Sequence, residues 1–378
     1  MISVTIERPD AAALAARWDE LAPHATNVFM HPAALKAASE TLLTVIYVLL
    51  PWDTAVEPHR LVGWWALGER QLGFWPYLEA LPFNYAFLST PVVNPDYAGE
   101  VMPAFLAAIA RDRALPATLV LRDFDAAGPL YGSLAGLEGN ARARIKTDER
   151  PSATRAAGIK RSGSTRKKLR QDWNRLAATG ALEMVNLGGR AAALEGLEAF
   201  LQMELRSWKG AGGTALLNDA KDAAFARRLV GDLAERNAAS VALLRLDGRP
   251  IAAQVLLYAG RTAYTWKTSY DPSFAKYSPG ALLVDRITTE LIDSGAVDAI
   301  DSCSVGQGFM ASLWSGRRPM VDMVVAARSG FSPAFLAVAG YFRARQLAKA
   351  VRDRVLRRRR RAAARPGPAG STPTPPAP

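Results

Sequence analysis

Thr262-Ala263-Tyr264-Thr265-Trp266-Lys267-Thr268-Ser269-Tyr270, followed by Tyr277-Ser278-Pro279-Gly280-Ala281-Leu282-Leu283, is the stretch that decides the fold. The first run alternates and is rich in aromatic and β-branched residues, which predicts a strand. Asp271 and Pro272 open a turn. Ser278 suits a helix N-cap, and Pro279 suits the first helical position, where a missing N–H costs nothing. Leu283, Ile287 and Leu291 recur every four residues, and Gly295 closes the helix. With no side chain at Gly280, a ligand can approach the unpaired N–H groups of the first turn. The helix dipole there favours a phosphate or carboxylate. An ordinary capped helix satisfies the same pattern.

Working outward, two further strands precede this unit, at residues 240–246 and 250–257. They are separated from each other and from the 262–270 strand by the turns Asp247-Gly248 and Ala259-Gly260. Before them come a strand at 182–187 and two helices. The first helix, 191–208, carries the stripe Leu194, Leu197, Leu201, Leu205 and Trp208; the second spans 222–235. After the unit come strand 297–302, a short helix near 309–314 and strand 320–327. The order βααβββαβαβ mixes an antiparallel meander with a helical crossover, an α+β layout. Residues 1–150 repeat that order in degenerate form, with an aromatic, proline-rich irregular stretch at 74–95. They lack a clear counterpart of the 278–280 helix start, so only the second half is expected to bind a donor.

The chain of 378 residues is nearly half apolar, enough for two substantial cores. One cysteine, Cys303, excludes a disulfide framework, and three histidines near the N-terminus give no zinc spacing. Neither a signal peptide nor a membrane-spanning apolar run is evident, so the expected location is cytoplasmic, with a peripheral position on the inner membrane face open. The net charge of +12 is concentrated. Residues 331–378 hold eleven Lys/Arg against Asp353 alone, and residues 141–170 hold eleven against Asp148 and Glu149. Such segments imply localised anionic partners.

The order of residues 182–327 resembles the GNAT acyltransferase fold, in which a strand–loop–helix unit holds the pyrophosphate of acyl-CoA. The basic helix around Arg166 to Leu176, the Arg206-Ser207-Trp208-Lys209-Gly210 segment, Tyr277-Ser278-Pro279-Gly280 and the 316–324 region resemble the CelD-type acetyltransferases. Those are similar to the FemAB aminoacyltransferases in having two GNAT-like halves. The resemblance implies an α+β fold of tandem GNAT-like halves, mixed central sheets flanked by helices, with a basic C-terminal helix. Its units would be a degenerate half (1–150), a basic connecting helix (151–180), an acyltransferase half (181–330), a basic amphipathic helix (331–365) and a disordered Pro-rich tail (366–378). It implies acetyl-CoA or another acyl-CoA as cosubstrate, no metal, and a sugar, amine or cell-envelope polysaccharide precursor as acceptor. The family's phosphate motif opens with Gln or Arg; here Tyr277 stands at that position.

In that frame Ser269, Tyr277, Ser278, Pro279, Gly280 and Ala281 are the donor-binding candidates. Alternation places Ala263, Thr265, Lys267 and Ser269 on one strand face, with Lys267 either in the acyl channel or a surface lysine. Asp301 sits on an otherwise apolar face, so it is either a base or a partner of Arg317 or Arg318. Asp271 is the second carboxylate candidate. Arg206, Trp208 and Lys209, before the glycine-rich 210–214 loop, suit a sugar or carboxylate acceptor. Cys303 lacks a histidine partner and reads as core. Residues 335–361 read as a basic amphipathic helix suited to an anionic membrane, with nucleic-acid binding or a merely solvated tail as the alternatives. Two other readings stay open: aminoacyl transfer from tRNA, on the basic 142–170 segment, and a membrane-surface adaptor without catalysis.

Overall fold

The computed structural model describes residues 1–8, 11–157, 159, 162–306 and 308–363; the Pro-rich tail expected at 366–378 lies outside them. The first part of the chain runs β1 (Ile2–Glu7), α1 (Ala11–Leu21), α2 (Pro32–Thr41), β2 (Ile46–Asp53), β3 (Arg60–Leu61), β4 (Gly63–Leu72), β5 (Trp75–Glu79), β6 (Val92–Val93), α3 (Ala98–Arg111), β7 (Thr118–Asp125), α4 (Pro129–Ala135) and β8 (Arg142–Thr154). The second part runs α5 (Gly163–Ala177), β9 (Leu182–Gly188), α6 (Arg190–Arg206), α7 (Trp208–Ala211), α8 (Ala220–Ala234), β10 (Ala239–Leu246), β11 (Arg249–Ala259), β12 (Thr262–Tyr270), α9 (Pro279–Asp293), β13 (Ala299–Asp301), α10 (Phe309–Leu313), β14 (Gly316–Ala326) and α11 (Pro333–Ala363).

The two parts repeat one another closely. In each, antiparallel neighbours (β1-β2-β4-β5 and β9-β10-β11-β12) are followed by a helix and a strand that pairs parallel with the meander's last strand. The α+β, tandem GNAT-like architecture expected from the sequence is the one observed. Both sets join one mixed sheet of order β1-β2-β4-β5-β7-β14-β8-β13-β12-β11-β10-β9. The closing strands are exchanged: β14 pairs with β7, and β8 pairs with β13. The boundary expected at residue 150 falls inside β8, whose partners β14 and β13 both come from the second part. The 74–95 stretch expected to be irregular contains β5 and β6.

Helices cover both faces. Leu197, Phe200 and Leu201 of α6 and Phe225, Leu229 and Leu233 of α8 join the α1 and α2 side chains in one core beneath both halves. Ring contacts stitch it: Phe29 to Tyr264 at 5.5 Å and Phe83 to Phe225 at 5.2 Å. On the other face Leu283, Val284, Ile287 and Leu291 of α9 pack on Ile251, Ala263 and Ile300, the four-residue period realised as a buried stripe.

The first half has a topological counterpart of α9 after all, namely α3, which follows β5. Its first turn carries Glu100, and Asp96 precedes it, whereas the first turn of α9 has no acid. The dipole has the same sense in both helices, but at α3 these acids already occupy its positive end and repel a further anion, which makes α3 a poor anion site.

Candidate active site

The parallel pairing of β12 with β13 covers Thr262↔Ala299, Ala263↔Ile300 and Tyr264↔Asp301, and β13 then stops. Residues 265–270 of β12 thus run on without a strand partner on that side among the described residues. Opposite, β11 pairs Leu256 with Thr265 and Val255 with Lys267, leaving Trp266 as an extra bulged residue. Buried Gln254 fastens the bulge: its amide donates to Lys267 O at 3.1 Å, and its Oε1 accepts from the Thr268 hydroxyl. The bulge changes the phase of the strand. Lys267 is not on the face of Ala263, as strict alternation implied, but shares the α6/α8 side with Trp266. Its Nζ lies 4.8 Å from the Tyr85 ring centre and 5.5 Å from that of Trp266. Burial pushes its pKa down, with Lys209 adding to the effect against Glu204 and Asp222. It makes no ion pair among the described residues. Buried Ser269 follows on the strand.

At the start of α9, Ser278 is the N-cap, but in the left-handed region (φ 52°) and without a side-chain cap. Its carbonyl accepts from Ala281 N at 2.9 Å and Leu282 N at 3.1 Å. Pro279 has no N–H, so Gly280 supplies the remaining donor of this turn. The side of Gly280 where a Cβ would stand faces the Tyr270 ring at 3.3 Å, not solvent; the missing side chain first lets α9 approach β12. The sequence did not reveal that α5 lies alongside. Lys168 donates to Ser278 Oγ at 3.3 Å, and Arg175 and Lys276 lie over the Tyr277 ring at 5.5 and 4.9 Å. Between α5 and α9 runs a groove of about 290 Å³ lined by Arg166, Arg170, Trp173, Leu282 and Arg286, with Arg286 stacked 3.9 Å over Trp173. Lys168 and Arg175 both pair with Asp172, so the positive excess comes from Lys276 and the groove arginines, which combine with the free helix start into an anion-binding surface.

On the α6/α8 side of the bulge lie residues that sequence reasoning missed. Glu204 is fully buried; its Oε1 accepts from Lys209 Nζ and its Oε2 from Leu216 N, both at 2.9 Å. Tyr85 comes from the first half and donates to Asp222 of α8, while its carbonyl accepts from Trp266 Nε1 at 3.0 Å. Burial, then Asp222, pushes the Tyr85 hydroxyl pKa up, so it stays protonated. Glu204 was legible, since it falls in phase with Leu197, Phe200 and Leu201. Tyr85, in an irregular loop, carried no such signal.

The stripe expected through Leu205 and Trp208 ends early. α6 stops at Arg206, Ser207 Oγ accepts from Lys209 N, and Trp208 is 76% exposed. The turn requires glycine at 210, where a Cβ would stand 1.7 Å from Leu205 O. Lys209 thus points inward to Glu204, while Trp208 and Arg206 face solvent at the rim.

The two aspartates sit elsewhere. Asp301 accepts from Arg318 at 3.0 Å, from Arg150 at 3.4 Å and from Cys303 N at 2.8 Å. Arg150 also pairs with Asp123, and Arg318 with Asp125. This network ties β7, β14, β8 and β13 together across the exchanged strands. Both Asp301 oxygens are occupied, so the partner of Arg318 is the role realised, not a free base. Asp271 caps the 272–277 turn through Ser273 N and pairs with Arg249 at 2.6 Å. Burial acts to raise its pKa, but Ser273 and Arg249 outweigh that and hold it low, which disfavours proton uptake. Cys303 is buried, its thiol pKa pushed up by burial.

Residues 163–307 match the family described as acetyltransferase (GNAT) domain, a span from α5 past β13. No curated protein matches the chain. Solved structures share its fold: FemX, at 9% identity and TM-score 0.58 over 85% of this chain and 97% of that one; L-PGS from Bacillus licheniformis, at 14% and 0.53 over 88% and 97%; and the C-terminal domain of a putative lysylphosphatidylglycerol synthetase from Agrobacterium fabrum, at 13% and 0.52 over 87% and 95%.

Proposed function

We propose that this acyltransferase, with its GNAT domain at residues 163–307, takes an acyl group from acyl-CoA and passes it to an amine or hydroxyl acceptor entering past Trp208 and Tyr85. The observation that carries the reading is the unpaired edge of β12 at residues 265–270, with the α9 start at one side and the Lys267 cluster at the other. The residues fit the donor. Gly280 N–H, Lys168, Arg175 and Lys276 suit a pyrophosphate, and the Trp173–Arg286 groove with Arg166 and Arg170 suits a phosphorylated nucleoside. Bound there, acyl-CoA supplies an activated thioester.

The chain's residues supply positioning and proton transfer. Lys267, its pKa lowered by burial, takes the proton from the acceptor nucleophile as that atom bonds to the acyl carbon; the thioester C–S bond breaks, and the proton passes on to the departing CoA sulfur. Tyr85, held by Asp222, stays protonated and donates a hydrogen bond in the same cluster. Glu204 fixes Lys209, and Trp208 offers a flat apolar surface to a sugar or similar acceptor. The likeness to CelD-type proteins favours an envelope or polysaccharide precursor.

Isothermal titration with acetyl-CoA tests the donor. Saturable binding weakened by Lys276→Glu, at an exposed position with no ion pair among the described residues, is expected; no binding at millimolar concentration would sink the assignment. A second reading, aminoacyl transfer from tRNA, draws on the cationic α5. It requires tRNA binding that falls steeply with salt, and indifference to tRNA would remove it.

A further inference from the structure

We infer that the cavity between α11 and the sheet seats the phosphate of an anionic phospholipid, and that α11 thereby lays the protein on an anionic membrane surface. The inference is independent of the acyl-transfer site. α11 docks through Phe335, Val338, Ala339 and Phe342 onto Val120, Ala143, Val324 and Ala326. Beyond that contact a cavity of about 530 Å³ opens beneath the helix, lined by Arg122, Lys146, Arg345, Lys349 and Arg352 against one acid, Asp322. Arg122 is paired to Glu79 and Lys146 to Asp148. Arg345 and Lys349 have no ion pair among the described residues, and the nearest acid to Arg352 is its neighbour Asp353 at 3.7 Å. Asp322 Oδ1 is engaged by Asp123 N–H at 2.8 Å. Five cations around one cavity, two of them uncompensated, call for an anion with several acceptor oxygens.

The choice between lipid and nucleic acid rests on the opposite side of α11. At 100° per residue, Leu336, Leu347, Val351 and Val355 fall on the side of α11 turned away from its docked face. All four are exposed, Leu347 at 67% and Val351 at 60%, and Phe331 just before the helix is exposed as well. Arg343 and Arg354 flank them. A nucleic acid has no use for that apolar row, whereas an interfacial helix needs both features. No helix among the described residues is long and apolar enough to cross a membrane, so the contact is with its surface.

The test uses the full chain with monomeric short-chain phosphatidylglycerol, with inorganic phosphate, and with phosphatidylcholine vesicles with and without phosphatidylglycerol. The wild type is expected to bind the short-chain lipid and only the anionic vesicles. Arg345→Gln with Lys349→Gln should weaken both about thirty-fold, roughly five-fold for each cation removed. Leu347→Ser with Val351→Ser should keep the short-chain lipid but lose the vesicles. All four positions are on the helix exterior, and circular dichroism checks that α11 persists. Phosphate bound as tightly as the lipid, with no vesicle binding, would make this a free-anion site and overturn the proposal. RNA binding without vesicle binding would overturn it in favour of nucleic acid, and wild-type lipid affinity in the Arg345/Lys349 variant would remove the cavity from the contact.

Discussion

Changing Asp301→Asn separates a seam-holding carboxylate from a catalytic one. Asp301 is 2% exposed, Arg150 is 3% exposed, and their contact is 3.4 Å, with Arg318 at 3.0 Å. At an effective dielectric of 20 each attraction amounts to about 5 kcal/mol before desolvation is counted. Removing one member of a buried ion pair costs about 3–5 kcal/mol net. Here Arg150 keeps Asp123 at 2.7 Å and Phe87 O at 2.6 Å, and Arg318 keeps Asp125 at 2.7 Å. The loss should therefore lie near 3 kcal/mol, the lower end of that range. Asn also turns an N–H₂ toward Arg318, setting donor against donor. Urea unfolding followed by tryptophan fluorescence should show a lower midpoint at unchanged slope. The Asp301→Asn, Arg318→Gln double variant should fall short of the sum of the singles. Acyl-transfer kcat per folded molecule should stay within about threefold, since removing a general base costs about a hundredfold or more. Unchanged stability with a hundredfold loss of kcat would refute the structural role and restore Asp301 as the base.

Lys267→Arg, which keeps the charge but cannot give it up, should lower kcat about 10²–10⁴-fold. In the wild type kcat/KM should rise with pH through the lowered Lys267 pKa and level off below the ordinary lysine value of about 10.4. The same shift has a stability sign. Between the two pKa values the unfolded chain binds the extra proton, so stability rises with pH across that window, and Lys267→Met should flatten the rise in pH-dependent denaturation. Trp208→Ala, at an exposed position, should raise the acceptor KM several-fold with a thermal midpoint close to wild type. Gly210→Ala should destabilise by about 3 kcal/mol, the upper part of the overpacking range, because its Cβ meets backbone; calorimetry measures it.

Periodicity made the second half legible. Three meander strands, the α9 stripe and the α6–α8 pair carry patterns of period 2 and 3.6, and the structure places them at nearly those positions. What escaped depended on contacts far apart in sequence. Nothing local reveals that β8 and β14 exchange partners, since both read as ordinary closing strands. The sequence pattern marks Asp301 as an acid on an apolar face in need of a partner, with Arg318 among the candidates. Arg150, the third member, lies on a strand assigned to the other half. The β12 bulge escaped because alternation presumes one residue per ladder position, and that one insertion moved Lys267 to the other face. Trp208 was misplaced because helical phase was carried past Ser207, where the cap ends the helix. Tyr85 has no periodic context, while Glu204, an acid within a buried stripe, could have been found.

Hydrogen exchange on the full chain with and without acetyl-CoA tests the central claim most directly, because both halves contain a strand–helix unit of the same topology. The account predicts protection concentrated in peptides covering residues 265–284 and the facing part of α5, with residues 76–100 unchanged. Protection at β5 and the start of α3 instead, or none anywhere at saturating acetyl-CoA, would contradict it.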